Sequence, residues 1–157
     1  MEIITVDEHN IDQEHICCAI SSSKDIQVIT KKNWLKERFK DGLVFKKINV
    51  RGKCFIEYVP VEQAWVPING NNLMYIDCLW VAGKYQGQGY AKCLLESCIN
   101  DSKRKQKDGL VIISAKKKLA FLMDKRFLLK HGFEVVDCID DKYELLFLSF
   151  HKNVSKP

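Results

Sequence analysis

The sequence lacks the features of membrane, secreted and multidomain proteins. No apolar run approaches the ~18 residues needed to span a membrane. The first residues form neither a basic cluster nor a long apolar segment, so no signal peptide is expected and a cytoplasmic location is predicted. Repeats, low-complexity segments and long linkers are also absent. The 157 residues, 46% of them apolar, predict one globular domain over residues 1–150 and a polar tail over 151–157.

The cysteines lack the spacing of a metal or disulfide site. Their number, seven, is odd, and no C-x-x-C pair occurs. Most of them lie in apolar runs, where a free cysteine behaves as a small apolar side chain. The four histidines form no ligand pattern either. We therefore expect structural thiols and no metal ion.

Positive charge is concentrated in one part of the chain. The net charge is +5, and between residues 103 and 130 only Asp108 and Asp124 oppose a run of lysines and arginines. Aromatic residues do not alternate with these basic ones, which disfavours a nucleic acid as partner. Two interpretations stay open: a solvated surface, or a positive field that steers an anionic cofactor.

The apolar pattern predicts an α+β (mixed α/β) domain with the element order β-α-α-β-β-β-α-β-α-β-β. Helices are expected over residues 11–19, 31–40, 89–103 and 121–131. Strands are expected over residues 2–6, 43–50, 53–59, 73–81, 110–114, 133–138 and 143–150.

A glycine-containing turn joins the apolar strand 73–81 to the helix 89–103. Such a turn aims backbone N–H groups and the positive end of a helix dipole at one point, which is a site for a phosphate or pyrophosphate. The Walker pattern is excluded because no Lys-Ser/Thr follows the glycines. The dinucleotide fingerprint is excluded because Gly87-Gln88-Gly89 is followed by no third glycine at the required position.

The segment Gln86-Gly87-Gln88-Gly89-Tyr90-Ala91, with Val81 five residues before it, resembles motif A of the GNAT superfamily of acyl-CoA-dependent N-acyltransferases. Lys130-His131-Gly132-Phe133 is similar to the junction that ends motif B of that superfamily. Residues 64–68 and 121–125 further resemble a little-characterised bacterial branch. The resemblance implies a single-domain fold with a central, mostly antiparallel sheet flanked by helices, and acetyl-CoA as co-substrate.

The resemblance also implies which residues hold the cofactor. The turn would bind the CoA pyrophosphate, and the exposed edge of the preceding strand would bind the pantetheine amides as an added strand does. The implied cofactor-binding residues are Leu79, Trp80, Val81, Gln86, Gly87, Gln88, Gly89, Tyr90, Ala91, Asp124 and Phe127.

Three residues are candidates for the base that takes a proton from the acceptor amine: Asp77, Tyr75 and Glu62. Asp77 and Tyr75 should share one face of their strand, with Cys78 on the opposite face, because side chains alternate. A hydrogen-bonded carboxylate, pocket packing and a loop charge are the respective alternatives. The general acid is undecided, because Leu128 stands where many relatives carry a tyrosine that protonates the leaving thiolate.

The leading hypothesis is transfer of an acetyl group from acetyl-CoA to a primary amine by direct attack in a ternary complex. The alternative is a non-catalytic acyl-CoA-binding or sensory module, which the absent tyrosine favours. The expected partners are an acyl-CoA and an amine acceptor, without a membrane. The acceptor is left open, as is the oligomeric state, a homodimer being one alternative.

Overall fold

The computed structural model describes residues 2–14, 26–50, 54–66, 68–116, 123–139, 141–152 and 154–157. Three α-helices are present in this part of the chain: α1 (Ile26–Phe39), α2 (Tyr90–Arg104) and α3 (Lys125–Lys130). The strands are β1 (Ile3–Val6), β2 (Val44–Ile48), β3 (Cys54–Pro60), β4 (Leu73–Val81), β5 (Gly109–Ala115), β6 (Glu134–Ile139) and β7 (Tyr143–Ser149). None of the described helices is long and apolar enough to cross a membrane.

The seven strands form one sheet in the order β1-β2-β3-β4-β5-β7-β6. Its neighbours are antiparallel except β4 and β5, which are parallel and are connected through α2. The sheet is therefore mixed but mostly antiparallel, as expected. Parallel neighbours require such a crossover because the chain has to return to the same end of the sheet.

Apolar side chains cover both faces of the sheet. On one face Ile76, Leu79 and Leu110 pack against Leu94 and Leu95 of α2. On the other face the strands pack against α1, with Leu35, Phe45, Val59, Tyr75 and Val111 in the core. The central strands are buried on both sides, which explains why they form near-continuous apolar runs in the sequence.

The parallel pair β4–β5 separates halfway along its length. The two strands pair from Leu73–Gly109 to Ile76–Ile112. Beyond this point β5 continues to pair with β7 as far as Ala115, whereas residues 77–81 of β4 have no β5 partner in the described sheet. The ladder between β4 and β5 ends there, so a wedge-shaped opening begins after Ile76.

The end of α2 is tied to the sheet by a buried polar network. The Tyr58 hydroxyl of β3 donates to Asp101 Oδ2 at 2.6 Å, and Arg104 Nη2 donates to Asp101 Oδ1 at 2.7 Å. Burial alone would raise the pKa of Asp101, but these hydrogen bonds and the charges of Lys105 and Lys46 outweigh it and hold the pKa at about 2.

Strand positions follow the sequence closely, whereas helix boundaries do not. The strand predicted over 73–81 is β4 without a shift, and the other strands agree within two residues at each end. The helix predicted over 31–40 begins five residues earlier, at Ile26. The β-branched residues that open α1 have low helix propensity, and burial of Val28 outweighs it.

The remaining helix predictions are only partly matched. Residues 11–14 form turns, and the rest of the helix expected over 11–19 falls outside the described residues. The helix expected over 121–131 is shorter, because Asp124 caps α3 by accepting the Arg126 N–H at 2.9 Å. Residues 121–122 also fall outside the described part. The polar tail lies against the domain, where Val154 packs on the α1-side core.

Candidate active site

A cavity of about 820 Å³ opens between the free half of β4, the start of α2 and α3. Its lining from β4 and the following turn comprises Leu79, Trp80, Val81, Gly83, Tyr85, Gln86 and Gly87. Helices α2 and α3 and the residues that flank them add Gly89, Tyr90, Ala91, Lys92, Met123, Asp124, Phe127, Lys130 and His131. The cavity therefore contains every predicted cofactor residue except Gln88.

The N-terminus of α2 presents unpaired donors to this cavity. The first helical hydrogen bond is Cys93 N–H to Gly89 O at 3.0 Å, so the N–H groups of residues 90–92 precede the helical ladder. Gly89 supplies no side-chain cap, and the described first turn carries no acidic residue. The dipole and the free N–H groups make this point attractive to an anion.

The turn before α2 depends on two glycines in the left-handed region. Gly87 has φ +79° and Gly89 has φ +80°, and a Cβ on either would meet no described atom within 4 Å. Backbone conformation and close approach of a ligand, rather than crowding within the protein, therefore explain glycine at these positions.

Side-chain amides hold the same turn in place. Gln86 Nε2 donates to Val81 O at 3.4 Å, which connects the turn to the end of β4. Gln88 Nε2 donates to Lys84 O at 3.3 Å, so the Gln88 side chain braces the turn and does not line the cavity.

Helix α3 forms the opposite wall of the cavity. Ser114 Oγ donates to Met123 O at 2.8 Å and fixes the segment that leads into α3. Phe127 contacts the ring of His131 at a centroid distance of 4.3 Å. Leu128, by contrast, is fully buried in the α2-side core. The side chain at the position where relatives carry a tyrosine thus points away from the cavity.

Asp77 lies where β4 leaves β5, in a β-bulge. Glu57 of β3 pairs with Cys78 and Tyr58 pairs with Ile76, so Asp77 is the extra residue. Burial, a hydrogen bond with the Glu57 carboxyl group and the negative charge of Glu57 raise the pKa of Asp77 to about 10. Asp77 consequently holds its proton at neutral pH, and it acts as a base only after losing that proton.

The β-bulge at Asp77 contradicts one prediction about which face of the sheet each β4 side chain lies on. Cys78 was expected on the face opposite Tyr75, but both side chains belong to the α1-side core. The extra residue shifts the alternation by one position, so that Cys78 and Trp80 face α1 while Leu79 faces α2. Sequence spacing alone does not reveal a bulge.

The other two base candidates lie in different surroundings. Tyr75 is 6% exposed, and burial together with the charge of Asp77 raises its pKa to about 12. Glu62 is bonded at the far end of β4, where Glu62 Oε2 accepts the Asn72 N–H at 2.8 Å. From Leu73, at that end, to Val81 is eight residue steps along the strand, or about 26 Å. The structure brings Tyr75 and Asp77 together and leaves Glu62 apart.

Comparison with known proteins identifies the family. A profile of the acetyltransferase (GNAT) family matches residues 9–133. The chain belongs to the GNAT family. The resemblance inferred from the glycine turn is thereby confirmed, and the separation of β4 from β5 and the turn before α2 are the parts of this GNAT domain that form the cavity.

Individual relatives agree with this assignment. YoaP of Bacillus subtilis (strain 168), an uncharacterized N-acetyltransferase, is 44% identical over 155 residues, which are 98% of this chain and 62% of YoaP. The chain thus spans less than two thirds of that relative's length.

Two solved structures share the fold over 96% of this GNAT chain and 100% of their own. They are a ribosomal-protein-alanine N-acetyltransferase of Brucella melitensis (TM-score 0.66, 15% identity) and the PaiA N-acetyltransferase of Thermoplasma acidophilum in complex with coenzyme A (TM-score 0.65, 16% identity).

Sequence reasoning missed two residues beside Asp77. Glu57 is 2% exposed, and Lys31 Nζ of α1 donates to Glu57 Oε1 at 3.2 Å. A single carboxylate within the apolar run of β3 was the available signal, because a charge on a strand buried on both faces requires a partner. Lys31 gave no signal, because it is one of several lysines on α1.

Proposed function

We propose that this GNAT protein transfers an acetyl group from acetyl-CoA to a primary amine, by direct attack of the amine on the thioester in a ternary complex. One observation carries the proposal: the N–H groups that precede the helical ladder of α2 face a cavity that continues along the part of β4 that does not pair with β5. A pyrophosphate with an amide-containing arm requires both features. Family membership and the coenzyme A complex of PaiA support the same donor.

The pyrophosphate and the pantetheine arm of the cofactor each have matching groups in the cavity. The N–H groups of residues 87–91 would hold the pyrophosphate, with Lys92 and Lys130 supplying positive charge. The Gln86 N–H is not available for this, because it donates to Gly83 O at 3.2 Å. The edge of Leu79–Val81 would pair with the pantetheine amides like an added strand. Asp124 and Phe127 of the opposite wall would enclose the arm.

The reaction follows from this placement. A backbone N–H on the β4 edge polarises the thioester carbonyl and stabilises the oxyanion as the C–N bond forms. The C–S bond then breaks. An alkylammonium acceptor loses two protons overall: one ends on the thiolate of CoA and the other passes to a base or to water. Asp77 is the first candidate for that route because it precedes the free edge, with Tyr75 beside it, whereas the position of Glu62 disfavours it.

Calorimetry with CoA, followed by thiol release from acetyl-CoA in the presence of amines, tests the proposal. We expect binding in the micromolar range and thiol release that depends on the amine. Asp77→Asn should lower kcat while leaving CoA affinity within about twofold. Failure of the unsubstituted protein to bind CoA at high micromolar concentration would refute the proposal.

The second candidate function is a non-catalytic acyl-CoA-binding module. The burial of Leu128 in the core and the proton held by Asp77 favour it, because both leave the cavity without its expected proton-transfer groups. Binding of CoA without any amine-dependent thiol release, across alkylamines and arylamines, would decide for this module.

A further inference from the structure

A partly buried charged group that involves α1 does not line the cavity. It consists of the carboxyl groups of Glu57 and Asp77 and the ammonium of Lys31. Asp77 Oδ1 is buried and receives no hydrogen bond from the described donors. Because a buried carboxylate oxygen without a donor is costly, the proton that Asp77 retains explains how its carboxyl group lies beside that of Glu57. The pair then carries one negative charge, which Lys31 balances.

This group lies beside the place of the reaction. Asp77 directly follows Ile76, the last β4 residue that pairs with β5. Leu79, where the free edge faces the cavity, is two residues further, or about 7 Å along the strand. Trp80 lines the cavity and also packs on the α1-side core. The opening between β4 and β5 therefore lies between the cavity and the carboxyl pair.

The Lys31 ammonium is held as a bound alkylammonium would be. Its Nζ is 3.2 Å from Glu57 Oε1 and 4.4 Å from the centroid of the Trp34 ring. A carboxylate together with an indole face is a combination that attracts organic cations. The Lys31 side chain is 35% exposed, so the ammonium is reached from solvent, whereas the Glu57 side chain is 3% exposed.

We infer that Lys31 occupies, in the free protein, the place of the acceptor: an unbranched cationic alkylamine displaces its ammonium from the Glu57–Asp77 pair. This inference rests on the proposed acetyl transfer and names the acceptor class for the same site. The exchange replaces one ammonium by another, so no buried carboxylate is left without a counter-ion. Trp34 then contacts the alkyl chain next to the amine.

Chemical rescue of Lys31→Met tests this inference without a need for activity. The variant keeps the stem of Lys31 and removes its charge. We expect a lower melting temperature, which n-butylammonium restores by binding the native state, and no restoration by neutral 1-butanol. The matched control is Lys36→Met on the same helix, which removes a surface ion pair to Asp12. n-Butylammonium should not raise the melting temperature of this control variant. The double variant Lys31→Met/Glu57→Gln should show no rescue.

Kinetics with acetyl-CoA supply the second measurement. Lys31→Met should lower the KM for n-butylamine several-fold, because the internal competitor is gone. Glu57→Gln should raise the KM about 10- to 150-fold, the range for one lost charged hydrogen bond. The KM for a neutral arylamine should change less than twofold in both variants.

Two results would overturn the acceptor assignment: rescue that fails or is matched by 1-butanol, or an unchanged or higher KM for n-butylamine in Lys31→Met. Calorimetry of CoA binding separates this failure from failure of the proposed function. Loss of CoA binding in the unsubstituted protein contradicts the acetyl transfer, whereas intact CoA binding without rescue contradicts only the acceptor assignment.

Discussion

Gly89→Ala separates the role of Gly89 in the fold from its role in ligand binding. In the free protein a Cβ at Gly89 meets no described atom within 4 Å. The cost to the fold is then that of an L-residue at φ +80°, about 1–2 kcal/mol. In the complex the methyl group occupies space that the pyrophosphate needs. Loss of one charged N–H contact weakens binding by about 2–3 kcal/mol, or about 30- to 150-fold in Kd.

Gly42→Ala is the matched control for backbone strain. Gly42 has φ +93° and lies outside the cavity lining, and its Cβ would approach Pro60 Cγ to 3.1 Å. This variant should be destabilised at least as much as Gly89→Ala, yet bind CoA within about twofold of the unsubstituted protein. The difference between the two variants isolates the effect on the ligand.

Calorimetric titration with CoA gives the affinities, and urea unfolding without ligand gives the stabilities. An unchanged Kd in Gly89→Ala would refute the placement of the pyrophosphate at the start of α2. Equal losses of affinity in Gly89→Ala and Gly42→Ala would show that stability, and not approach of the phosphate, controls binding.

Three further predictions concern the core and the buried carboxyl groups. Leu128→Tyr should destabilise the fold by about 1–3 kcal/mol without raising kcat, because Leu128 is fully buried in a packed core; unfolding curves and thiol release measure both. Tyr58→Phe should cost about 1.5–3 kcal/mol at pH 7, since it removes the hydroxyl that donates to Asp101. That difference should shrink as the pH falls from about 4 towards about 2, where Asp101 takes up its proton; an unchanged difference at pH 2 would contradict it. Asp77 binds a proton in the folded state up to about pH 10 but only below about pH 4 when unfolded, so stability should fall with rising pH between these values. Asp77→Asn should flatten that dependence in urea titrations across pH.

The sequence predicted the strands well because they are buried on both faces and therefore form unbroken apolar runs. Strand β4 agrees residue for residue. Helices were less predictable. The start of α1 at Ile26 depends on burial of Val28 in the folded protein, and local propensity carries no record of that burial. The start of α3 was set by the Asp124 cap, which the apolar residues at 121–123 and 127–129 concealed.

The candidate site also has one part that the sequence predicted and another that it did not. The glycine turn and the helix that follows it are adjacent in the chain, so local backbone chemistry indicates the anion site without a structure. The cluster of Glu57, Asp77 and Lys31 joins three separate elements, and the sequence offered Asp77 alone. The bulge that turns Asp77 towards Glu57 depends on the register between β3 and β4.

The sequence by itself determined the family and the order of the strands along the chain, and it predicts the donor half of the candidate site, because each depends on residues that are close in sequence. Only the tertiary structure decided where β4 leaves β5, which side Leu128 faces and what surrounds Asp77. Those features depend on register and on contacts between elements far apart in the chain. Burial of a carboxyl group beside a second one changes its protonation, and that effect exists only once β3, β4 and α1 have packed together.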